Sequence, residues 1–343
     1  MINIQENISL KYFTTFQIGG RARYFLIAKN EDDLREAFSF VKSRKLPLFV
    51  LGGGSNVLFS DQDFSGLIIK NEIKGIKFID LPVQAGQGMD KVILEIGAGE
   101  IWDDIVALSV IRNLFGLENL SGIPGTVGGA VVQNAGAYGG ELKDCLVSVA
   151  GFNSVNGKKF NFEKADCDYG YRSSFFKKNK KFIITSVTLI LSKKLGANFD
   201  YASLKEQLTE EEKITPQKIR EIVLKVRGEK LPDWHKIGTA GSFFKNPVIS
   251  KYDYSKLVEK FPDLPGFSEP KDKIKIPLAW ILDKICQLKG FKEGRVGLYE
   301  KQPLVVVNLG GATEKEISDF TEKIKNIVVK KTSIKIECEV EKI

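Results

Sequence analysis

The sequence predicts an α+β fold divided into more than one domain, and three observations carry that prediction. A glycine turn, Gly52-Gly53-Gly54-Ser55-Asn56, lies between strand-like runs, Leu48-Phe49-Val50-Leu51 before it and Val57-Leu58-Phe59 after it. Strand, helix, strand, loop and strand in succession make a small unit ending near Lys70. A break at Lys230-Leu231-Pro232-Asp233 then sets off a separate α+β domain. With 343 residues the chain can bury two or three substantial cores.

Taken in order, Leu10 to Ile27 alternates loosely around Gly19-Gly20 and reads as strand, turn, strand. Asn30 can cap the next helix. Glu31, Asp32 and Asp33 fill its first turn, Leu34, Phe38 and Val41 recur at helical spacing, and Arg44 and Lys45 suit its end. Gly66 to Lys70 is strand-like. Leu94 to Gly99 reads as strand then turn, and Trp102, Ile105, Leu108 and Ile111 mark a helix. Val147 to Phe162 reads as a hairpin around Asn156-Gly157, a type I′ signal. Phe182 to Leu191 is a strand. Lys193 to Thr215 is polar, carries Tyr201 and has the character of an insert or lid. Pro216 opens a helix whose face is Ile219, Ile222, Val223 and Val226. Further on, Pro277 opens a helix that Gly290 closes, and Leu304 to Asn308 is a core strand. Thr313-x-x-Glu316 is a capping box before Ile317, Phe320, Ile324 and Ile327, and Ile334 to Val340 alternates as a strand.

Composition narrows the function classes. The chain is 43% hydrophobic and 27% charged, ordinary for a globular protein. No apolar run approaches the ~20 residues that span a bilayer, and Met1 to Phe16 has no signal-peptide character, so the cytoplasm is expected. Four scattered cysteines and one histidine, His235, argue against a zinc site or a disulfide scaffold. The cysteines read as small buried apolar residues. A net charge of +8 is spread over scattered lysines with no basic, aromatic-interleaved stripe. It fits a lysine-rich composition and attraction of small anionic substrates better than nucleic acid.

The first glycine turn has two readings, a tight turn between core strands or a concave site whose N–H groups hold a pyrophosphate. It is followed by a strand, so a dinucleotide here would lie outside the Rossmann plan. Gly116 to Glu141 is a second such stretch, with eight glycines in 26 residues. Its interleaved Leu, Ile, Val and Ala mark it as packed, unlike a flexible linker. With both stretches present, a large dinucleotide accounts for each better than turns alone.

Seven motifs then carry a resemblance along nearly the whole chain: Leu51-Gly52-Gly53-Gly54-Ser55-Asn56, Gly116-Leu117-Glu118-Asn119-Leu120, Ile123-Pro124-Gly125-Thr126-Val127-Gly128, Gln133-Asn134-Ala135-Gly136-Ala137-Tyr138-Gly139, Tyr169-Gly170-Tyr171-Arg172-Ser173-Ser174, Gly241-Ser242-Phe243-Phe244-Lys245-Asn246-Pro247 and Glu339-Val340. The chain resembles the UDP-N-acetylenolpyruvoylglucosamine reductase family of peptidoglycan synthesis, in its type I form. The resemblance implies a two-part FAD-binding domain of the vanillyl-alcohol-oxidase type, with subdomains 1–73 and 74–229. A C-terminal α+β substrate-binding domain at 230–332 follows, and a last strand, 334–343, returns to the FAD-binding part.

The implied reaction passes a hydride from NADPH through dissociable FAD to UDP-N-acetylglucosamine enolpyruvate, giving UDP-N-acetylmuramate. Implied FAD contacts are Leu51, Gly52, Gly53, Gly54, Ser55, Asn56, Ser121, Gly122, Ile123, Pro124, Gly125, Gly128, Gly129 and Ile184. Implied catalytic groups are Arg172, which steadies charge on the substrate carboxylate, Ser242, which protonates C2, and Glu339, which polarises or orients a donor. Glu337 shares the strand face expected of Glu339, and the Glu-Val pair selects Glu339. Tyr201, Arg227, Lys230, Asn246, Lys289 and Gln302 are implied for the substrate. No metal, nucleic acid or membrane partner is expected, and the chain is expected to be a monomer. Glu341 stands where the family often has arginine. A flavin oxidase of the same superfamily and a basic nucleotide- or RNA-binding protein are the competing readings.

Overall fold

A computed structural model describes residues 2–81, 90–194 and 214–343. The chain forms two compact units, Met1–Ile8 with Ala22–Gly53 and Ser65–Arg227, and Ser9–Arg21 with Gly54–Phe64 and Gly228–Ile343. Tyr201 lies outside the described residues.

In the first unit a four-stranded sheet runs in the order Gln5–Ser9, Arg21–Ala28, Phe64–Asn71, Leu48–Leu51. Leu48–Leu51 pairs in parallel with Phe64–Asn71, Leu51 opposite Lys70. The helix Glu31–Arg44 covers this sheet. Asn30 accepts from the Asp33 N–H while Asp33 reaches back to the Asn30 N–H, a closed capping box. Leu34, Ala37 and Phe38 of the helix pack with Leu26, Leu67, Ile69, Phe152 and Ile183. A second, antiparallel sheet runs Lys159–Glu163, Leu146–Asn153, Phe182–Ser192, Lys91–Gly97, Ile76–Asp80. Trp102–Ile111 packs with the core of this sheet, and Pro216–Lys230 buries the Ile219, Ile222, Val223 and Val226 face read from sequence.

In the second unit a four-stranded sheet runs Gly238–Ser242, Val305–Asn308, Val296–Leu298, Lys292–Glu293. Glu314–Thr332 packs Ile317, Phe320, Ile324 and Val328 into its core, and Thr313 and Glu316 close the capping box. Glu341–Lys342 pairs in parallel with Val57–Leu58.

Several local expectations give way to tertiary context. Leu10–Phe13 is a short 3₁₀ turn, and the strand before it is Gln5–Ser9. The helix Trp102–Ile111 buries Trp102, Ile105, Val106, Ser109 and Val110, leaving Ile111 72% exposed, because its apolar face is set by the sheet it covers. The Asn156-Gly157 turn is not type I′, since Gly157 has positive φ and Asn156 does not, and the Gly157 N–H donates to the Asn153 carbonyl in a longer loop. After Pro277 the chain makes one α turn, Leu278–Trp280, then a π turn, Ile281–Ile285. The tail from Ile334 buries Ile334, Ile336 and Val340 alternately, yet among the described residues its strand pairing is limited to a Phe244–Cys338 bridge and Glu341–Lys342.

Candidate active site

The first unit brings the two glycine stretches together. A Cβ on Gly53 would stand 2.4 Å from the Gly125 Cα, and one on Gly52 would stand 2.6 Å from Thr126 Oγ1. The two backbones meet with no room for a side chain between them. Leu51, ahead of the turn, is fully buried, and Lys70 Nζ donates to the Gly52 carbonyl. The second stretch is pinned on its far side. Gly128 N–H donates to the Ala98 carbonyl at 2.8 Å, Val127 N–H to Glu100 at 2.9 Å and Trp102 N–H to Gly125 at 3.0 Å. Gly128 packs against Ala98, whereas a Cβ on Gly129 would meet only Thr126 Oγ1, at 3.6 Å.

Other residues expected at the cofactor have structural partners. Ser121 is buried and its hydroxyl donates to the Glu118 carbonyl at 2.6 Å. Gly122 N–H donates to Asp103 Oδ1 at 2.6 Å. Asp103 also takes a bidentate fork from Arg220 at 2.6 and 2.8 Å. Burial alone would lift the Asp103 carboxyl, but Arg220 and the Gly122 N–H outweigh it and hold the group below the usual carboxylate range. Ile184 gives its carbonyl to Asn71 Nδ2 at 2.8 Å. Ile123 and Pro124 complete the turn into Gly125 and are partly buried. Arg227, expected at the substrate, donates to the Gly122 carbonyl at 2.9 Å, beside the stretch expected at the cofactor.

Arg172 also belongs to the first unit. It sits at a two-residue hairpin tip closed by reciprocal Gly170 and Ser173 hydrogen bonds of 3.0 and 3.1 Å. Its φ is +52°, a conformation that disfavours a non-glycine residue by about 1 kcal/mol or more. Nη2 donates to the Gly136 carbonyl at 2.7 Å, and the guanidinium lies 5.4 Å from the Tyr171 ring centre. The guanidinium is therefore pre-positioned. Gly136 belongs to the fourth motif, and no spacing in the chain links it to Arg172.

In the second unit, Ser242 and Glu339 come from distant stretches to neighbouring backbone positions. Glu339 N–H donates to the Phe243 carbonyl at 2.8 Å, next to the Phe244–Cys338 bridge. The strand Gly238–Ser242 carries a bulge: Thr239 faces Val307, but Ser242 faces Val305. Gly241, at φ +73°, supplies the extra residue, and its N–H donates to Thr239 Oγ1 at 3.1 Å. Such a bulge re-aims the next side chain. The Ser242 hydroxyl makes no hydrogen bond among the described residues. Lys245 pairs with the exposed Glu337 at 3.0 Å.

Asn56 holds this arrangement. Its Nδ2 donates to the Glu339 carbonyl at 3.3 Å and its own carbonyl accepts from Glu341 N–H at 3.0 Å. Gly54 has φ +67° and a Cβ there would fall 2.0 Å from the Phe13 carbonyl oxygen; Ser55, partly buried, follows it. Asn246 Oδ1 caps Leu278 N–H at 2.9 Å, and Gln302 Oε1 accepts from Leu304 N–H at 3.4 Å. Lys289 lies 3.7 Å from Asp283, and Lys230 is exposed at its helix end.

The architecture is that of known proteins. Residues 22–159 match an FAD binding domain, and residues 233–343 match the UDP-N-acetylenolpyruvoylglucosamine reductase C-terminal domain. A UDP-N-acetylenolpyruvoylglucosamine reductase of Pseudomonas aeruginosa is 38% identical over 98% of both chains, and that of Flavobacterium johnsoniae is 37% identical over 99% of both. The crystal structure of the Thermus caldophilus enzyme shares the fold, with a TM-score of 0.69 at 24% identity, covering 100% of this chain and 99% of that one. Paired glycine stretches with no side chain between them fit the backbone approach that an extended dinucleotide requires. Identity at this level from end to end decides the family: the chain belongs to the UDP-N-acetylenolpyruvoylglucosamine reductases.

Proposed function

We propose that this protein reduces UDP-N-acetylglucosamine enolpyruvate to UDP-N-acetylmuramate with NADPH, using FAD, in peptidoglycan precursor synthesis. The observation that carries the proposal is the hydrogen bond from Glu339 N–H to the carbonyl of Phe243, the residue after Ser242, in a chain that also packs two glycine stretches against each other. The chemistry supplied by bound FAD is relay of a hydride from NADPH to C3 of the enolpyruvyl ether. Gly52, Gly53, Gly125 and Gly129 line its binding part, together with the other residues of the two stretches.

Charge then develops on the substrate carboxylate. Arg172, its guanidinium already held by Gly136, takes that carboxylate with little further loss of freedom. The Ser242 hydroxyl, which has no hydrogen-bond partner to give up among the described residues, delivers the proton to C2. Glu339 orients the donor side. Tyr201, Arg227, Lys230, Asn246, Lys289 and Gln302 are assigned to the UDP-sugar. Residues 1–73 and 74–229, with the last strand 334–343, are assigned to FAD, and 230–332 to substrate. The same reading makes the protein a cytoplasmic monomer with non-covalent FAD and no nucleic-acid or membrane partner. Its support is the family's small-molecule chemistry.

The test separates the half-reactions. Purified protein should be yellow, should bleach with NADPH without air and should be reoxidised by UDP-N-acetylglucosamine enolpyruvate. Ser242→Ala should keep the NADPH step and slow the enolpyruvyl step ~10²-fold or more. Reduced protein that only oxygen reoxidises would sink the reading in favour of an oxidase.

A further inference from the structure

The short segment from Lys70 to Lys74 grips three pieces of backbone in the first unit. Lys70 Nζ donates to the Gly52 carbonyl, Asn71 Nδ2 to the Ile184 carbonyl at 2.8 Å and Lys74 Nζ to the Gly99 carbonyl at 2.7 Å. The turn at Gly99 in turn holds the second glycine stretch, through the Ala98 and Glu100 carbonyls. The two lysines differ. Lys74 is half exposed and paired with Glu100 at 3.3 Å. Lys70 is largely shielded and makes no ion pair among the described residues, its nearest charges being Glu72 and Lys74. A partly buried ammonium without a carboxylate partner carries a desolvation cost that a nearby anion would offset.

The Gly52–Gly53 peptide shows where that anion would lie. The peptide is trans, so fixing the Gly52 carbonyl toward Lys70 turns the Gly53 N–H to the opposite side. That N–H has no partner among the described residues.

We propose that Lys70 is a positioning residue for the diphosphate of the dinucleotide: it locks the Gly52 carbonyl, presents the Gly53 N–H to the anion and adds a positive charge behind the turn. This rests on the FAD reading above. Burial lowers the proton affinity of Lys70, as it does for an ammonium whose balancing anion is not part of the protein.

The test is FAD titration of apoprotein by flavin fluorescence, at about 0.02 M and about 0.3 M salt. Lys70→Met and Lys70→Gln should raise the Kd for FAD at least ~10-fold at low salt and flatten its salt dependence. Lys70→Arg, which keeps the charge, should stay within ~3-fold of wild type. Wild-type affinity and salt response in either neutral variant would overturn the proposal. So would loss of the folded apoprotein, by circular dichroism, in both neutral variants, because Lys70 would then serve the fold alone. Wild-type apoprotein that takes up no FAD would instead refute the underlying reading, and this inference with it.

Discussion

Replacing Gly53 by alanine tests the packed glycine stretches most directly. The new Cβ would meet the Gly125 Cα at 2.4 Å, its carbonyl carbon at 3.0 Å and its nitrogen at 3.3 Å. Carbon atoms in contact sit about 3.5–4.0 Å apart, so one backbone must retreat by about 1 Å. Neither can do so freely. Gly125 is tied by Trp102 N–H and Val127, two residues on, by the Glu100 carbonyl, while Gly52 is tied by Lys70. Overpacking of this kind costs about 1–3 kcal/mol, and one displaced hydrogen bond adds about 1 kcal/mol. At about 2–4 °C per kcal/mol, apoprotein Tm should fall by roughly 5–15 °C. The Kd for FAD should rise at least ~10-fold, because the retreat moves the backbone that faces the dinucleotide. Gly129→Ala is the control. Its Cβ meets only Thr126 Oγ1, at 3.6 Å, inside the helix Val127–Gln133. Alanine there should raise apoprotein Tm, by about 0.5–1 kcal/mol of helix preference. Scanning fluorimetry and FAD titration read both variants. A Gly53→Ala protein with wild-type Tm and wild-type FAD affinity would refute the packing argument.

Two further outcomes follow from single residues. Gly241→Ala has open space around its Cβ, so only the +73° φ penalises it, by about 1 kcal/mol; stopped-flow traces should show the enolpyruvyl half-reaction slowed through Ser242, with NADPH reduction unchanged. Burial raises the Glu118 carboxyl above its ordinary 4.5, so the folded state holds the proton to higher pH than the unfolded chain, and stability falls as pH rises through that window. Glu118→Gln keeps an acceptor for the Gly116 N–H and removes the buried charge. Its Tm advantage over wild type should therefore be larger at pH 8 than at pH 4, roughly either side of the window, and an equal difference at both would contradict the sign.

Much of this molecule was legible in its residues because the signals were local. The helix cap at Asn30, the capping box at Thr313 and the buried face of Pro216–Lys230 appear where the residues put them. Both depend on contacts within a turn or two of helix. The face of Trp102–Ile111 was misjudged at Ile111 because an apolar helix offers several candidate stripes, and the sheet it covers chooses one. The Asn156-Gly157 turn departed from type I′ because loop length, set by the register of Leu146–Asn153 with Lys159–Glu163, overrode the dipeptide preference.

The glycine stretches, the family motifs and most helices and strands are properties of neighbouring residues and can be read along the chain. That Gly53 lies on Gly125, that Gly136 holds Arg172, that Asn56 clasps the Glu339 carbonyl and that Lys70 grips Gly52 emerges only from the folded chain. Each brings a residue to a backbone group distant in the chain. A carbonyl or an amide is the same at every position, so nothing in the residue names marks which one will be reached.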